Sequence, residues 1–497
     1  MNSLQLKKRG MAKDTLVFLI AKMLEGVLGI LALSLYTRYF DPYDFGQYTL
    51  INTTVMTMEA FFLGWLMHSV FRYFDSSERN EQLPAFYSTS FFAWLFVNAF
   101  MLGGTGVFLK IMSNRIQPSL LRLSWLGFFV FVFFSGTQIL LSLLAAQRRI
   151  LFNGIIAVFS IGMKLLFITV IVFFFSSQIE YLLLVYAFVD LIVMVLISYR
   201  LKIFRYIRWK YCSKTMLQSF LHYGLPLLGV TFTMSVLNLS DRYMIQYFYN
   251  SSYVAIYYGN YSLVAAGFNL ILTGVMRGVY PMILQTWNEG DVEYTKVLLS
   301  QAVRYYLILV IPAIIGISVL ACPLATVFLD KAYVPGWPVM IWVAMGMGLL
   351  GLTEYNNKVW ELTATTKMVF YYSLVSATIN VLLNLWCIPR YGYQAAAMTT
   401  MIAYGVYFIM SYIGSRKKLK WHLPLKTFLR ILGSGLFMGG ILYFLKQRWS
   451  IRLVTLGLLV VLGIIIYFVC LYLTGEIKSE CKIFLNRTNK KHGEGGK

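Results

Sequence analysis

The chain has 497 residues, 59% of them hydrophobic and only 13% charged. A soluble domain carries about a quarter of its residues as charges, so a water-soluble multidomain enzyme is excluded. The net charge of +23 would suit a nucleic-acid binder, but here the basic residues stand between long apolar runs. There they act as an orientation signal and attract anionic headgroups, and no nucleic-acid partner is expected.

A spanning helix needs about 20 mainly apolar residues, and fourteen such runs follow one another. The first, 15–38, comes after Lys7, Lys8, Arg9 and Lys13. It is too long for the core of a signal peptide and no small-residue cleavage site follows, so it reads as a retained helix. Lys22 and Glu25 lie three apart in it and share a face. The second run, 46–70, holds Glu59, with Asn52 two turns earlier on the same face. His68 and Arg72 form another stripe at its inner end. Runs at 85–109 and 121–146 come next. The fifth, 151–175, holds Lys164 on the face of Ser160 and Asn153, and the sixth, 181–200, holds Asp190.

The seventh run, 221–247, has Pro226 one turn inside, where a bend is expected, and Asp241-Arg242 near its outer end. The pair reads as structural. The eighth, 253–280, ends with Arg277. Gln285–Ser300 carries Asn288, Glu289 and Asp291 ahead of an apolar-periodic stretch, and reads as an interfacial helix joining runs eight and nine. Runs at 302–328 and 337–357 follow. Glu354, Lys358 and Glu361 mark one stripe at the end of the tenth, where a solvated face is the simpler reading. The eleventh, 367–389, is expected to stop at Pro389, which cannot donate a helical hydrogen bond. Runs at 392–414, 427–446 and 452–474 complete the set.

Orientation follows from Lys and Arg in alternate loops. With the N-terminus inside, 31 of the 43 fall on the cytoplasmic side and 10 outside; Lys22 and Lys164 lie within runs. The even count places both termini in the cytoplasm. A faint repeat is also visible: Phe45–Thr49 after run one parallels Val254–Tyr258 after run seven. Transporters are often built from such repeats, with the substrate site between them.

No external loop is long, which argues against a membrane-embedded glycosyltransferase or polymerase. The five cysteines and four histidines show neither a disulfide framework nor a zinc spacing. No GxxxxGK[ST] loop is present. Neither a catalytic residue, a metal nor a cofactor is assigned.

Three segments carry a family resemblance. One is Asn380-Val-Leu-Leu-Asn384, then Ile388-Pro389, then Gly392-Tyr-Gln-Ala395-Ala396-Ala397-Met-Thr399. The second is Gly224-Leu-Pro226, Asp241-Arg242 and Ala255-Ile-Tyr257. The third is Asp44-Phe45-Gly46-Gln47-Tyr48. Together they resemble the polysaccharide (O-antigen, capsule, exopolysaccharide) flippase family of the multidrug/oligosaccharidyl-lipid/polysaccharide exporter superfamily. Ala395 and Ala255 stand where the pattern usually has Gly, and Thr399 where it has Ala. The similarity covers roughly residues 10–420 in span layout.

The resemblance implies an all-α polytopic fold, with two six-helix lobes around a central cavity and two further C-terminal helices. In this sequence the lobes would be 1–220 and 221–420, with 421–497 holding spans 13–14 and a basic tail. It implies an undecaprenyl-diphosphate-linked glycan as cargo, moved outward across the bacterial inner membrane. The implied partners are that glycan, membrane lipid, and polysaccharide polymerase and chain-length machinery.

An idle intramembrane charge costs about 2.5–3.5 kcal/mol on insertion scales, so such charges are functional candidates. Lys22, Arg72, Arg277 and His68 are candidates for gripping an anionic diphosphate, since Arg offers bidentate bonds to phosphate oxygens. Glu25, Glu59, Lys164 and Asp190 are candidates for ion coupling or for the cavity. Structural pairing competes with each role, as a Lys22/Glu25/Glu59 cluster or a Lys164–Asp190 pair. The rival readings are a drug/cation antiporter of the same superfamily and the membrane-embedded glycosyltransferase or polymerase.

Overall fold

A computed structural model describes residues 3–114, 117–422, 424–478 and 480. The basic tail expected over 481–497 lies outside the described residues. Every regular element among them is a helix. The first nine are α1 (Ser3–Tyr39), α2 (Pro42–Phe62), α3 (Gly64–Arg79), α4 (Leu83–Met112), α5 (Pro118–Ala146), α6 (Ile150–Phe174), α7 (Glu180–Arg200), α8 (Lys214–Gly224) and α9 (Leu228–Phe248). They are followed by α10 (Ser251–Asn288), α11 (Val292–Phe328), α12 (Trp337–Leu362), α13 (Lys367–Tyr391), α14 (Ala395–Ser415), α15 (Leu425–Arg448) and α16 (Leu453–Leu473). Twelve segments are long and apolar enough to cross a membrane alone. Two bent pairs, α2 with α3 and α8 with α9, bring the number to fourteen when each pair crosses once. The chain is a multi-pass α-helical membrane protein.

The bends have local causes. Between α2 and α3 the chain turns by 50° at Leu63, whose backbone leaves helical geometry (ψ −8°). Between α8 and α9 it turns by 45°, around a 3-10 turn at Leu225–Leu227 that contains Pro226. That is the bend expected from the sequence.

Two sequence expectations are corrected. Gln285–Ser300 is not a separate interfacial helix. α10 runs on to Asn288, Gly290 turns with φ +81°, and Asp291 accepts from the Tyr294 amide over 2.9 Å to start α11. Polar residues read as one surface helix are the ends of two long ones and the cap between them. Pro389 does not stop span eleven either; α13 continues to Tyr391 and ends at Gly392, φ +84°. A single missing bond in a last turn is tolerated, and the left-handed residue sets the end.

Packing divides the chain into two compact units: residues 1–259 with 367–403, and residues 260–366 with 404–497. The first unit thus joins spans one to seven with span eleven. In it α1 packs on α6, α5 on α7, α9 on α13, and α2 and α3 on α5. In the second unit α11 is the hub, touching α12, α15 and α16. Gly435 and Gly439 of α15 face Ile311 and Ile315 of α11. Small residues four apart let membrane helices approach closely. The Tyr467 hydroxyl of α16 donates to the Ile308 carbonyl over 2.8 Å, relieving a buried polar group that lipid could not satisfy.

Candidate functional site

In the first unit, spans two and seven run antiparallel and touch along their length. Toward the start of α2 and the end of α9, Arg242 donates to Thr53 and lies over the Tyr258 ring at 4.7 Å, while the Tyr243 and Thr54 hydroxyls are 2.6 Å apart. At the bends, Gly64 meets Leu228 and Phe61 meets Phe232. At the opposite end, along α3 and α8, Ser69 donates to the Phe220 carbonyl over 2.8 Å, and Arg72 lies over the Tyr223 ring at 4.3 Å. The α2–α9 seam is completed by α10. Gly46 sits so close to the Ser251 carbonyl that a Cβ would overlap it.

Behind the α2–α9 seam lies a buried polar cluster. Asp241 is 3% exposed and accepts from Tyr257 (2.8 Å), Thr400 (2.8 Å) and Asn384 (2.6 Å). Asn380 accepts from Ser240 and Asn384 and donates to Thr400. Thr399 donates to Asn384. A carboxylate held by neutral donors satisfies the rule that buried charges need partners. Asp241 and Arg242 therefore do not form the structural pair read from the sequence. Adjacent on a helix, they point to different neighbours: Asp241 into the cluster, Arg242 to α2.

Of the sequence-named residues, Lys22 and Glu25 pair at 2.7 Å, with the Lys22 side chain 43% exposed. Glu59 does not complete a three-residue cluster, because its Oε1 is buried without a hydrogen-bond partner. Lys164 and Asp190 pair at 2.7 Å between α6 and α7, with Lys164 also over the Tyr186 ring at 4.5 Å. His68 is exposed on α3. Arg277 is exposed on the part of α10 that belongs to the second unit. There too, Lys358 pairs with Glu361 at 2.6 Å, and the Tyr280 hydroxyl donates to Glu361. The stripe read as simply solvated is thus tied to α10.

Sequence reasoning missed two groups. The first is the network around Asp241, signalled by Asn380 and Asn384 at helical spacing. The second is an ion cluster in which Arg304 of α11 pairs with Glu476 and Glu480, and Arg430 of α15 also reaches Glu476. No spacing signal links residues so far apart.

Comparison with known proteins adds the following. A family described as "Polysaccharide biosynthesis protein" matches residues 11–287. An uncharacterized membrane protein of Methanocaldococcus jannaschii is 21% identical over 163 residues. That match spans 32% of this chain and 31% of that one, so the chain matches about a third of the curated relative's length. Among solved structures, lipid II flippase MurJ in an inward closed conformation matches 92% of this chain and 98% of its own, with TM-score 0.75 and 14% identity. An inward-facing multidrug resistance MATE family transporter of the MOP superfamily matches 81% of this chain and 97% of its own, with TM-score 0.67 and 12% identity. A MOP superfamily transporter from Pyrococcus furiosus, titled for the reversed polarity of its binding pocket, matches 82% and 95%, with TM-score 0.58 and 11% identity. At these identities the likeness to the flippase and the transporters is one of fold. The family match covers more than half the chain, and the chain belongs to the polysaccharide biosynthesis protein family.

Proposed function

We propose that the protein is a flippase moving undecaprenyl-diphosphate-linked oligosaccharide repeat units from the cytoplasmic to the outer face of the bacterial inner membrane, for cell-surface polysaccharide. The observation that carries this reading is the Lys22–Glu25 pair. It stands within a spanning helix with Lys22 43% exposed. A charge open to its surroundings at that depth is tolerated where it faces water, which supports a hydrated path beside the pair. Lys22, Arg72, His68 and Arg277 would then meet the diphosphate. Residues 1–220 and 221–420 would act as the moving lobes, with both termini in the cytoplasm and the polymerase machinery receiving the cargo outside.

The coupling candidates are reordered by geometry. Asp190 is neutralised by Lys164, and Glu25 by Lys22. Asp190 and Glu59 each keep one buried oxygen without a hydrogen-bond partner, but Glu59 has no ion pair among the described residues, and so its proton occupancy is the best placed to couple to transport. The drug/cation antiporter remains the second reading, because a MATE transporter shares the fold; the basic groups favour anionic cargo.

Gene deletion tests the reading. Membranes lacking the protein are expected to retain repeat-unit synthesis while lipid-linked units accumulate on the cytoplasmic side. Loss of repeat-unit synthesis itself would make the protein a synthase.

A further inference from the structure

The segment between α7 and α8 is held rigidly. Ser88 Oγ donates to the Tyr206 carbonyl (2.8 Å) and accepts from the Arg208 amide (3.1 Å), and Thr89 Oγ1 accepts from the Ser213 amide (3.0 Å). Tyr87 stacks on Tyr206, and Phe92 meets the edge of Trp209. The outer side of this segment is exposed: Phe204 is 64% and Trp209 73% open, beside Arg200, Lys202, Arg205, Arg208 and Lys210. None of these five cations forms an ion pair among the described residues. Exposed aromatics interleaved with cations are the signature of a headgroup-level surface facing anionic lipid.

Beneath the segment lies a cavity of about 110 Å³ within the first unit. Its walls include Trp94 of α4, Ile139 of α5 and Met194 of α7, and its rim Phe204 and Ile207. Apolar cavities on the order of 150 Å³ take up small hydrocarbons. Among the few polar-bearing residues of the lining, Tyr87, Ser90, Trp94 and Ser198, Ser90 is 8% exposed and its Oγ has no hydrogen-bond partner. A buried hydroxyl without a partner costs about 1–3 kcal/mol, so an acceptor arriving in this cavity would be rewarded.

We propose that the cavity binds an anionic glycerophospholipid of the surrounding leaflet. A segment of one acyl chain enters the apolar space, an ester carbonyl accepts from Ser90 Oγ, and the phosphate rests on Arg205, Arg208 and Lys202. The ester separates this ligand from the prenyl tail of a lipid-linked glycan, which is hydrocarbon and offers Ser90 no acceptor. The site is independent of the flippase reading.

The test is native mass spectrometry of the delipidated full chain, titrated separately with dioleoyl phosphatidylglycerol, dioleoyl phosphatidylcholine and undecaprenyl phosphate. Phosphatidylglycerol is expected to be retained at least tenfold more tightly than phosphatidylcholine. One bound copy should be lost in Ser90→Leu, which fills the cavity and removes the hydroxyl. The same copy should be lost in the surface variant Arg205→Glu with Arg208→Glu, which leaves the cavity walls intact and carries the test if Ser90→Leu does not fold. Equal retention of the two phospholipids, unchanged binding in the charge-reversal variant, or one-for-one displacement by undecaprenyl phosphate would overturn the proposal.

Discussion

The Asn384 amide donates to Asp241 over 2.6 Å, joining positions 143 residues apart. Residues from two of the three motif segments, Asp241, Tyr257, Asn380, Asn384 and Thr399, converge in this one cluster. Three helices, α10, α13 and α14, thus lock onto one carboxylate carried by α9. A hydrogen bond to a charged group contributes about 1.5–3 kcal/mol. Asn384→Ala is expected to lower stability by that order, read as a fall in the thermal midpoint in detergent. In a double-mutant cycle, Asp241→Asn with Asn384→Ala should lose less than the sum of the single changes. Full additivity would mean the two do not interact.

The Gly46 contact makes a steric prediction. Ser251 is fully buried against Gly46. In a background without native thiols, Ser251→Cys should resist an impermeant thiol reagent added outside cells. Adding Gly46→Ala forces α2 and α10 apart and should make that thiol reactive. Unchanged protection would show that the backbones adjust without opening the seam.

Orientation is checked at four exposed positions, so that labelling reports side and not burial. Cysteines at Gln178 and Tyr391 should react from outside intact cells, and cysteines at Arg149 and Lys418 should not. Reaction at Arg149 would sink the fourteen-span topology.

Lys22→Ala strands Glu25, so the single change alone cannot separate packing from cargo binding. Lys22→Ala with Glu25→Ala does. If Lys22 meets diphosphate, export stays lost in the double variant while insertion and folding are normal; recovery would mark a structural pair. For Arg277, Ala should abolish export and Lys should keep part of it, because the charge survives without the bidentate geometry. Normal export in Arg277→Ala removes it from the cargo path.

The ion cluster at the start of α11 predicts a graded loss. The Glu476 side chain is 4% exposed and meets both Arg304 and Arg430, whereas Glu480, which also pairs with Arg304, is 34% exposed. Breaking a buried pair from one side costs about 3–5 kcal/mol, and an exposed pair about 0–1 kcal/mol. Glu476→Ala should therefore lower the melting temperature markedly and Glu480→Ala slightly; equal effects would contradict the burial difference.

Span number and the bend at Pro226 were legible because hydrophobic runs and proline act locally. Lys22–Glu25 was legible because residues three apart on a helix share a face, and the motif positions marked where something had to fit. What they fit was not legible: Asp241 finds Tyr257, Asn384 and Thr400 only once α9, α10, α13 and α14 have packed. The same holds for Arg304 and Glu476, 172 positions apart. Gln285–Ser300 misled for the opposite reason, since polar residues look alike whether they cover a surface helix or cap two long ones.

The two breaks, at Leu63 and at Leu225–Leu227, fall level with each other, where Gly64 meets Leu228. An unbroken helix is a stiff rod, and a tilt imposed at one face of the membrane reappears at the other. Interrupting both rods at one height removes that transmission. The Thr54–Tyr243 closure can part while Ser69 keeps its hold on Phe220, and the reverse. The seam is two clasps in series on a jointed frame, and each can be released at the energetic cost of its own contacts alone.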